Sequence, residues 1–490
     1  MTATDPGLAH SPGNTAVTPG TTLRNHIGGT WEDSAAGATG DLVDPATGDV
    51  VARWPVGCAE DVDRAVAAAA VAGAAWAAST LDERVEHLER VADTVAAHAG
   101  ELAELQCREM GKPVALGATF IDNGVAALRG SVAEARGYAF DTTTRHEDGS
   151  TTRVLRHPVG VAAVITPWNF PVLNVLIAIG PLLAASNTVV LKPSERSPLS
   201  TTRLVELLAL PEGVLNLVHG DGRAGGPLAG HPDVGLVRFT GSVAAGREVG
   251  AGSGRALHRA VLELGGKDPV VVDAGVDPVA TAQAVAFGAF VNTGQICTSM
   301  ERIYVHREIA DEFVTALCAA AAGFTTGDGR DPATVLGPLV DRRRRDVVHR
   351  HVTDALARGA TLRVGGAVPP GPGNFYPATV LTDVDESMLV MTEETFGPVA
   401  PVQVVASWEE GLQRASRSSF GLGATVYTRD PAHAADASAI PAAVTWVNQW
   451  QGGGPGRVYE PARDSGTGAT GAHAAYDAAT RPSTVHVAAT

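Results

Sequence analysis

Three side chains have the type and setting to work on a carbonyl group. Cys297 sits in Gly294-Gln295-Ile296-Cys297-Thr298-Ser299, after a helix-length pattern and among polar neighbours. A cysteine there reads either as a nucleophile or as a small buried core residue. Glu263 ends an apolar run and is followed by Leu264, Gly265, Gly266 and Lys267. Paired glycines allow close backbone approach, and a carboxylate in an apolar pocket gains basicity suited to proton transfer near neutral pH. Asn169 lies in Pro167-Trp168-Asn169-Phe170-Pro171, at the end of a strand-like run where open α/β sheets place ligands. Its amide can donate to an oxyanion. Taken singly, Glu263 also reads as a surface turn residue and Asn169 as a turn former.

Three strand-to-helix turns bear on nucleotide binding. Gly220-Asp221-Gly222-Arg223-Ala224-Gly225 matches the G-x-G-x-x-G pattern, but 56 glycines produce such matches readily. Phe239-Thr240-Gly241-Ser242-Val243-Ala244-Ala245-Gly246 also opens a helix, and a helix N-terminus there can hold a pyrophosphate. Lys192-Pro193-Ser194-Glu195 offers an ammonium and a carboxylate to ribose hydroxyls. Each turn alone also reads as an ordinary connection.

Together the motifs occur in one order. They are Pro-Trp-Asn-Phe-Pro, Lys-Pro-Ser-Glu, Phe-Thr-Gly-Ser, Glu-Leu-Gly-Gly-Lys, Gly-Gln-Ile-Cys and Glu393-Glu394-Thr395-Phe396-Gly397-Pro398-Val399. Glu263 follows Asn169 by 94 residues and precedes Cys297 by 34. From about Ile27 to Asn448 the chain strongly resembles the NAD(P)-dependent aldehyde dehydrogenase superfamily. The resemblance implies an α/β fold with a Rossmann-type cofactor domain, an α/β catalytic domain and a β-ribbon for oligomerisation. The implied boundaries are 23–138 and 157–262 for the NAD-binding domain and 263–450 for the catalytic domain. The ribbon and C-terminal segment take 139–156 and 451–490, after a flexible tail over 1–22.

The same resemblance implies NAD-dependent oxidation of an aldehyde to a carboxylic acid through a thiohemiacetal and a thioester on Cys297. Hydride passes to NAD, and Glu263 assists hydrolysis. Asn169 and the Cys297 backbone N–H hold the oxyanion, and the thiolate is expected to be accessible near pH 7. A Glu at 263 argues against a CoA-acylating relative, which has no water to activate. By likeness, Lys192, Ser194 and Glu195 hold the adenine ribose, with Gly225 nearby. Trp168, Phe239, Gly241, Ser242, Gly246 and Leu264 flank the dinucleotide, and Glu394 and Phe396 position its nicotinamide end. Glu195 would repel a 2′-phosphate, which favours NAD over NADP. Phe170, Asn174, Ile177, Ile296, Thr298, Trp450 and Tyr459 are the candidate substrate pocket. No pocket arginine marking a carboxylated substrate stands out.

The chain departs from the family pattern in two places. Val243 and Ala244 stand where the family has Thr and Glu. Near the C-terminus, Val458-Tyr459-Glu460-Pro461-Ala462-Arg463-Asp464-Ser465-Gly466 lacks the family's Gly-Gly pair, and Gln451-Gly452-Gly453-Gly454-Pro455 precedes it. A catalytically quiet NAD-binding homologue with a structural or regulatory role is therefore the alternative, as is an esterase using Cys297 without redox chemistry.

The elements that must position these residues follow from periodicity. Helical patterns cover Asp61–Ala78, Leu81–His98, Val172–Ala184, Ser200–Leu208 and Asp277–Asn292. Strands are expected at Val159–Ile165, Thr188–Leu191, Val214–Val218, Val234–Thr240 and Pro269–Val272, an alternation typical of parallel α/β sheets. Polar alternation from Asp141 to Arg156 around Asp148-Gly149 predicts an exposed β-ribbon, its edge covered by a strand from elsewhere such as another subunit. The 490 residues are 45% hydrophobic and 18% charged, which excludes wholesale disorder. A net charge of -16 argues against nucleic-acid binding, and the basic run Arg342–Arg345 reads as a solvated helix face. Four cysteines (Cys58, Cys107, Cys297, Cys318) form no disulfide framework, and no metal cluster is expected. With no signal peptide and no long apolar span, the reading is a cytoplasmic homodimer or homotetramer that touches neither membrane nor nucleic acid.

Overall fold

The computed structural model describes residues 20–452 and 456–489. The tail expected over 1–22 falls almost wholly outside them, as do Gly453, Gly454 and Pro455 of the departing loop.

Two large sheets carry the chain. The first runs, edge to edge, Gly466–Thr467, Arg259–Glu263, Val234–Thr240, Val161–Ile165, Thr188–Lys192, Leu215–Leu217, Asn25–Ile27 and Thr30–Glu32. Its five central strands are parallel. Val161–Ile165 and Thr188–Lys192 are buried along their whole length, as parallel strands covered on both faces must be. Helix Pro171–Ala184 covers one face, with Leu176, Ile179 and Leu183 all buried. Its start is set by Pro171 in the first turn, where a missing N–H costs nothing.

The second sheet runs Thr361–Val364, Thr379–Thr382, Val399–Val405, Met300–His306, Asp268–Val272, Gly423–Tyr427 and Val444–Val447. All but the first of these are parallel to their neighbours. Helix Pro278–Phe290 packs on it, capped by the Asp277 carboxylate at 3.0 Å from the Val279 and Ala280 N–H groups. The step from Glu263 to Asp268 joins the two sheets.

The expected ribbon forms as Asp141–Arg145 and Thr151–Pro158, and one of its edges is covered by a strand from elsewhere in the sequence. The chain's own C-terminal strand Thr480–Val487 pairs with Thr151–Pro158 over the full eight residues. The basic run differs from its expectation. Arg342 is solvated, but Arg344 packs over the Phe396 ring at 5.5 Å and Arg345 donates to the Gly373 carbonyl. Their helix, Arg342–Ala357, lies across the loop that follows Glu393 and so buries part of its first turn.

Candidate active site

The parallel strands of the first sheet end together, and each end delivers one candidate group. Val161–Ile165 leads into Thr166–Phe170, Thr188–Lys192 ends on Lys192, Val234–Thr240 leads to Gly241, and Arg259–Glu263 ends on Glu263. All of these border one cleft of about 2050 Å³ that also reaches Cys297. Ligand binding beyond the carboxyl ends of parallel strands is the general habit of such sheets.

Cys297 is delivered by an unusual backbone. After helix Pro278–Phe290, the residues Asn292, Thr293 and Gly294 all take positive φ (54°, 58° and 67°). A Cβ at Gly294 would come within 2.1 Å of the Gly397 carbonyl oxygen, so only glycine fits there. Side chains hold this strained turn. Thr293 donates to the Gly337 carbonyl at 2.9 Å, and the Gln295 carbonyl oxygen accepts from both Asn292 (3.1 Å) and Asn169 (3.0 Å). One N–H of the Asn169 amide is thus fixed on the nucleophile loop, and the other remains to face the cleft. Lys112, buried against the Phe170 ring at 4.0 Å, grips the Asn169 main-chain carbonyl at 2.7 Å.

The half-buried Cys297 thiol departs from the expected ready thiolate. Burial pushes its pKa well above the ordinary thiol value, and the charges of Glu263, Asp268 and Glu394 push the same way. That direction favours the protonated thiol, which a neighbouring base can relieve of its proton. Glu263 can serve: burial raises its carboxyl pKa, countered by Arg238 and by the Tyr459 hydroxyl. Glu394 is raised to about 7, first by burial and then by Glu301.

A buried ion pair stands behind the loop carrying Glu394 and Phe396. Lys267 meets Glu301 at 2.6 Å and Thr395 at 3.0 Å, while Glu301 accepts the N–H groups of Thr395 and Phe396, each at 2.8 Å. Trp168 meets Phe396 edge to face at 5.5 Å across the cleft. Glu301 escaped the sequence reading, although its place four residues after Cys297 was a usable signal.

The residues suited to a dinucleotide fit one. Lys192 donates to the carbonyls of Pro193 (2.8 Å) and Gly220 (2.7 Å), leaving one N–H of the ammonium over the cleft. Ser194 and Glu195 lie beside it, the carboxylate touched only weakly by Ser194 at 3.4 Å and Arg196 at 4.0 Å. A Cβ on Gly225 would lie 3.5 Å from Lys192, and one on Gly226 would meet nothing within 4 Å, so the floor is open. Phe239, Gly241, Ser242 and Leu264 line the next stretch, and Ser242 caps helix Val243–Arg255. Gly246 does not reach the cleft. It lets the helix close on Leu264, where a Cβ would come within 2.3 Å.

Phe170, Asn174, Ile177, Ile296, Thr298 and Tyr459 line the far side of the cleft. Trp450 does not. Its indole N–H is tied to the Thr298 carbonyl at 2.9 Å and its ring packs on Phe287, so it supports the loop from behind. Arginines do line the cleft, Arg238 and Arg457 among them, neither of which stands out in the sequence. Arg238 was hidden inside an otherwise apolar strand pattern. Among the described residues no group of three His, Cys, Asp or Glu side chains gathers to hold a metal, and no single helix is long and apolar enough to cross a membrane.

The comparisons agree with this geometry. The pattern of the aldehyde dehydrogenase family matches residues 31–485. The chain is 36% identical over 445 residues to 2-hydroxymuconic semialdehyde dehydrogenase of Pseudomonas sp. (strain CF600), covering 87% of this chain and 91% of that protein. It is likewise 36% identical to phenylacetaldehyde dehydrogenase of Pseudomonas fluorescens, covering 90% and 91%. The crystal structure of an indole-3-acetaldehyde dehydrogenase complexed with NAD+ superposes with a TM-score of 0.92 at 33% identity, covering 95% of this chain and 96% of that one. With Cys297, Glu263 and Asn169 bordering one dinucleotide-sized cleft at the ends of its parallel strands, the chain belongs to the aldehyde dehydrogenase family.

Proposed function

We propose that this chain oxidises an aldehyde to a carboxylic acid with NAD as acceptor, and that Cys297, Glu263 and Asn169 do the covalent and acid–base work. The observation that carries the reading is the meeting of these three side chains in one cleft with the Lys192–Glu195 turn.

Glu263 takes the proton from the neutral Cys297 thiol as the sulfur bonds to the carbonyl carbon. The free N–H of Asn169 and the Cys297 backbone N–H receive the negative oxygen that forms. NAD held by the Lys192–Glu195 turn and the Glu394–Phe396 loop would supply the acceptor for the aldehydic hydrogen and its electron pair. A thioester is left on Cys297. Glu263 releases that first proton to solvent, next takes a proton from water as the oxygen attacks the acyl carbon, and passes it to the sulfur as the C–S bond breaks and the thiol is restored.

Glu195 supports NAD over NADP, because its carboxylate faces the place of the 2′-hydroxyl without a cation fully neutralising it. The Glu394 and Phe396 side chains, held from behind by Lys267 and Glu301, orient the nicotinamide end. We assign 23–138 and 157–262 to cofactor binding and 263–450 to catalysis. Gly466–Thr467 of the C-terminal segment also joins the first sheet, at the edge beside Glu263. The ribbon, with Thr480–Val487, supports a homodimer or homotetramer, and a cytoplasmic setting suits the unpaired thiols.

The test is turnover of a panel of short, branched, aromatic and semialdehyde substrates, followed at the NADH absorbance band. Wild type is expected to produce NADH with at least one class, and Cys297→Ala to produce none. NADH production that survives Cys297→Ala would contradict the assignment.

A further inference from the structure

Glu263 is approached by two polar side chains that no step above has used. Thr240 and Glu263 are register partners, as are Arg238 and Val261, so period-two alternation puts Arg238, Thr240, Val261 and Glu263 on one face of the sheet. That face lies under helix Pro171–Ala184, where the Arg238 guanidinium reaches the Ile177 carbonyl at 3.4 Å. Glu263 is the acid whose charge acts on Arg238.

Tyr459 comes from the opposite side. It exchanges backbone hydrogen bonds with Thr470, each 2.8 Å. Between these two residues, Gly466 and Thr467 pair with Glu263 and Leu262. The loop that carries Tyr459 is therefore stitched to the strand that carries Glu263, and Tyr459, Arg238 and Glu263 all border the same cleft, where the phenol acts on the carboxylate. The remaining neighbours are the Cys297 thiol and, beyond it, Asp268 and Glu394.

We propose that Tyr459 and Arg238 are positioning residues that flank Glu263 and aim it at Cys297, a role that rests on reading Glu263 as the base. A buried carboxylate with only a thiol and two acids for company would keep its proton and accept none. A phenol donor on one side and a guanidinium on the other favour the charged form, and both act in that direction on Glu263. The departing C-terminal segment thus supplies a polar contact to the base as well as a wall of the pocket.

Cofactor-free chemistry tests this without the redox step. Hydrolysis of p-nitrophenyl acetate acylates Cys297 as the thiol proton passes to Glu263 and p-nitrophenolate leaves, and water then clears the acyl group. Initial rates and iodoacetamide alkylation of Cys297 are measured from mildly acidic to alkaline pH in wild type, Tyr459→Phe, Arg238→Met and Glu263→Gln. Tyr459→Phe keeps the ring and its packing. It is expected to slow hydrolysis roughly ten-fold at neutral pH, the worth of a hydrogen bond to a charged group. Its ascending limb should move to higher pH, with KM unchanged and the alkaline plateau retained. Arg238→Met should move the limb the same way, and Glu263→Gln should be slow throughout. An unmoved limb in Tyr459→Phe, or a loss equal at every pH, overturns the clamp. A wild-type profile in Glu263→Gln overturns the base assignment itself.

Discussion

At Asn169, two bonds decide how much of the residue is free for catalysis. Its carbonyl is taken by Lys112 and one amide N–H by Gln295, which leaves a single donor in a fixed direction. Replacing it by Ala removes that donor and one tie on the nucleophile loop. The expected outcome is a loss of ~10²–10³-fold in kcat, with NAD affinity nearly unchanged by calorimetry. A loss below three-fold would place the oxyanion elsewhere. Asn169, Glu263 and Cys297 were legible because each sits in a short motif of distinctive composition. Arg238 was not, because a charged residue at one position of Val-Gly-Leu-Val-Arg-Phe-Thr reads as the solvent side of a strand until the covering helix is known. Trp450 was misplaced for a related reason. Sequence nearness to the entrance loop does not reveal that its N–H is consumed by Thr298.

Helices Pro171–Ala184 and Pro278–Phe290 and strands Val161–Ile165, Thr188–Lys192 and Val234–Thr240 were readable within two residues, since Pro171 and Asp277 mark helix starts by a known mechanism, whereas strands Arg259–Glu263 and Met300–His306 were not. The turn into Cys297 was not. Asn292 and Thr293 are left-handed because the Gly397 backbone crowds Gly294 and the loop has no other route, a tertiary constraint with no local signal beyond one glycine. The C-terminal strand Thr480–Val487 was also missed. Its Thr-Arg-Pro-Ser-Thr-Val-His-Val run is largely exposed and lacks an apolar face. Its role carries a prediction at this scale. Deleting residues 480–490 uncovers one edge of Thr151–Pro158, leaving eight residues of unpaired strand. Sedimentation is expected to show the wild type as a dimer or tetramer and the truncated chain as smaller or aggregated species. An unchanged assembly would show that the ribbon does not hold the subunits together.

The whole molecule brings two sheets to one cleft, and the short step from Glu263 to Asp268 joins them there. One sheet supplies the turns at Lys192 and Gly241 together with Asn169 and Glu263, the proposed oxyanion donor and base. The other supplies the strand after Cys297 and the buried Lys267–Glu301 pair that steadies the Glu394–Phe396 loop. A buried pair of this kind adds little net stability but is costly to break, which suits a part that must hold one position. Burial first, and then the carboxyl groups of Glu263, Asp268 and Glu394, push the Cys297 thiol up, where a reactive thiol usually has basic neighbours, so the proposed chemistry includes removal of the thiol proton. The most direct measurement is intact-protein mass spectrometry of Glu263→Gln mixed with NAD and an aldehyde that wild type turns over. A slowly formed acyl adduct on Cys297 is expected, since Glu263 also takes the thiol proton; it is located by peptide mapping and accompanied by no more than one NADH per subunit. Continued turnover without an adduct, or an adduct on another residue, would contradict the account.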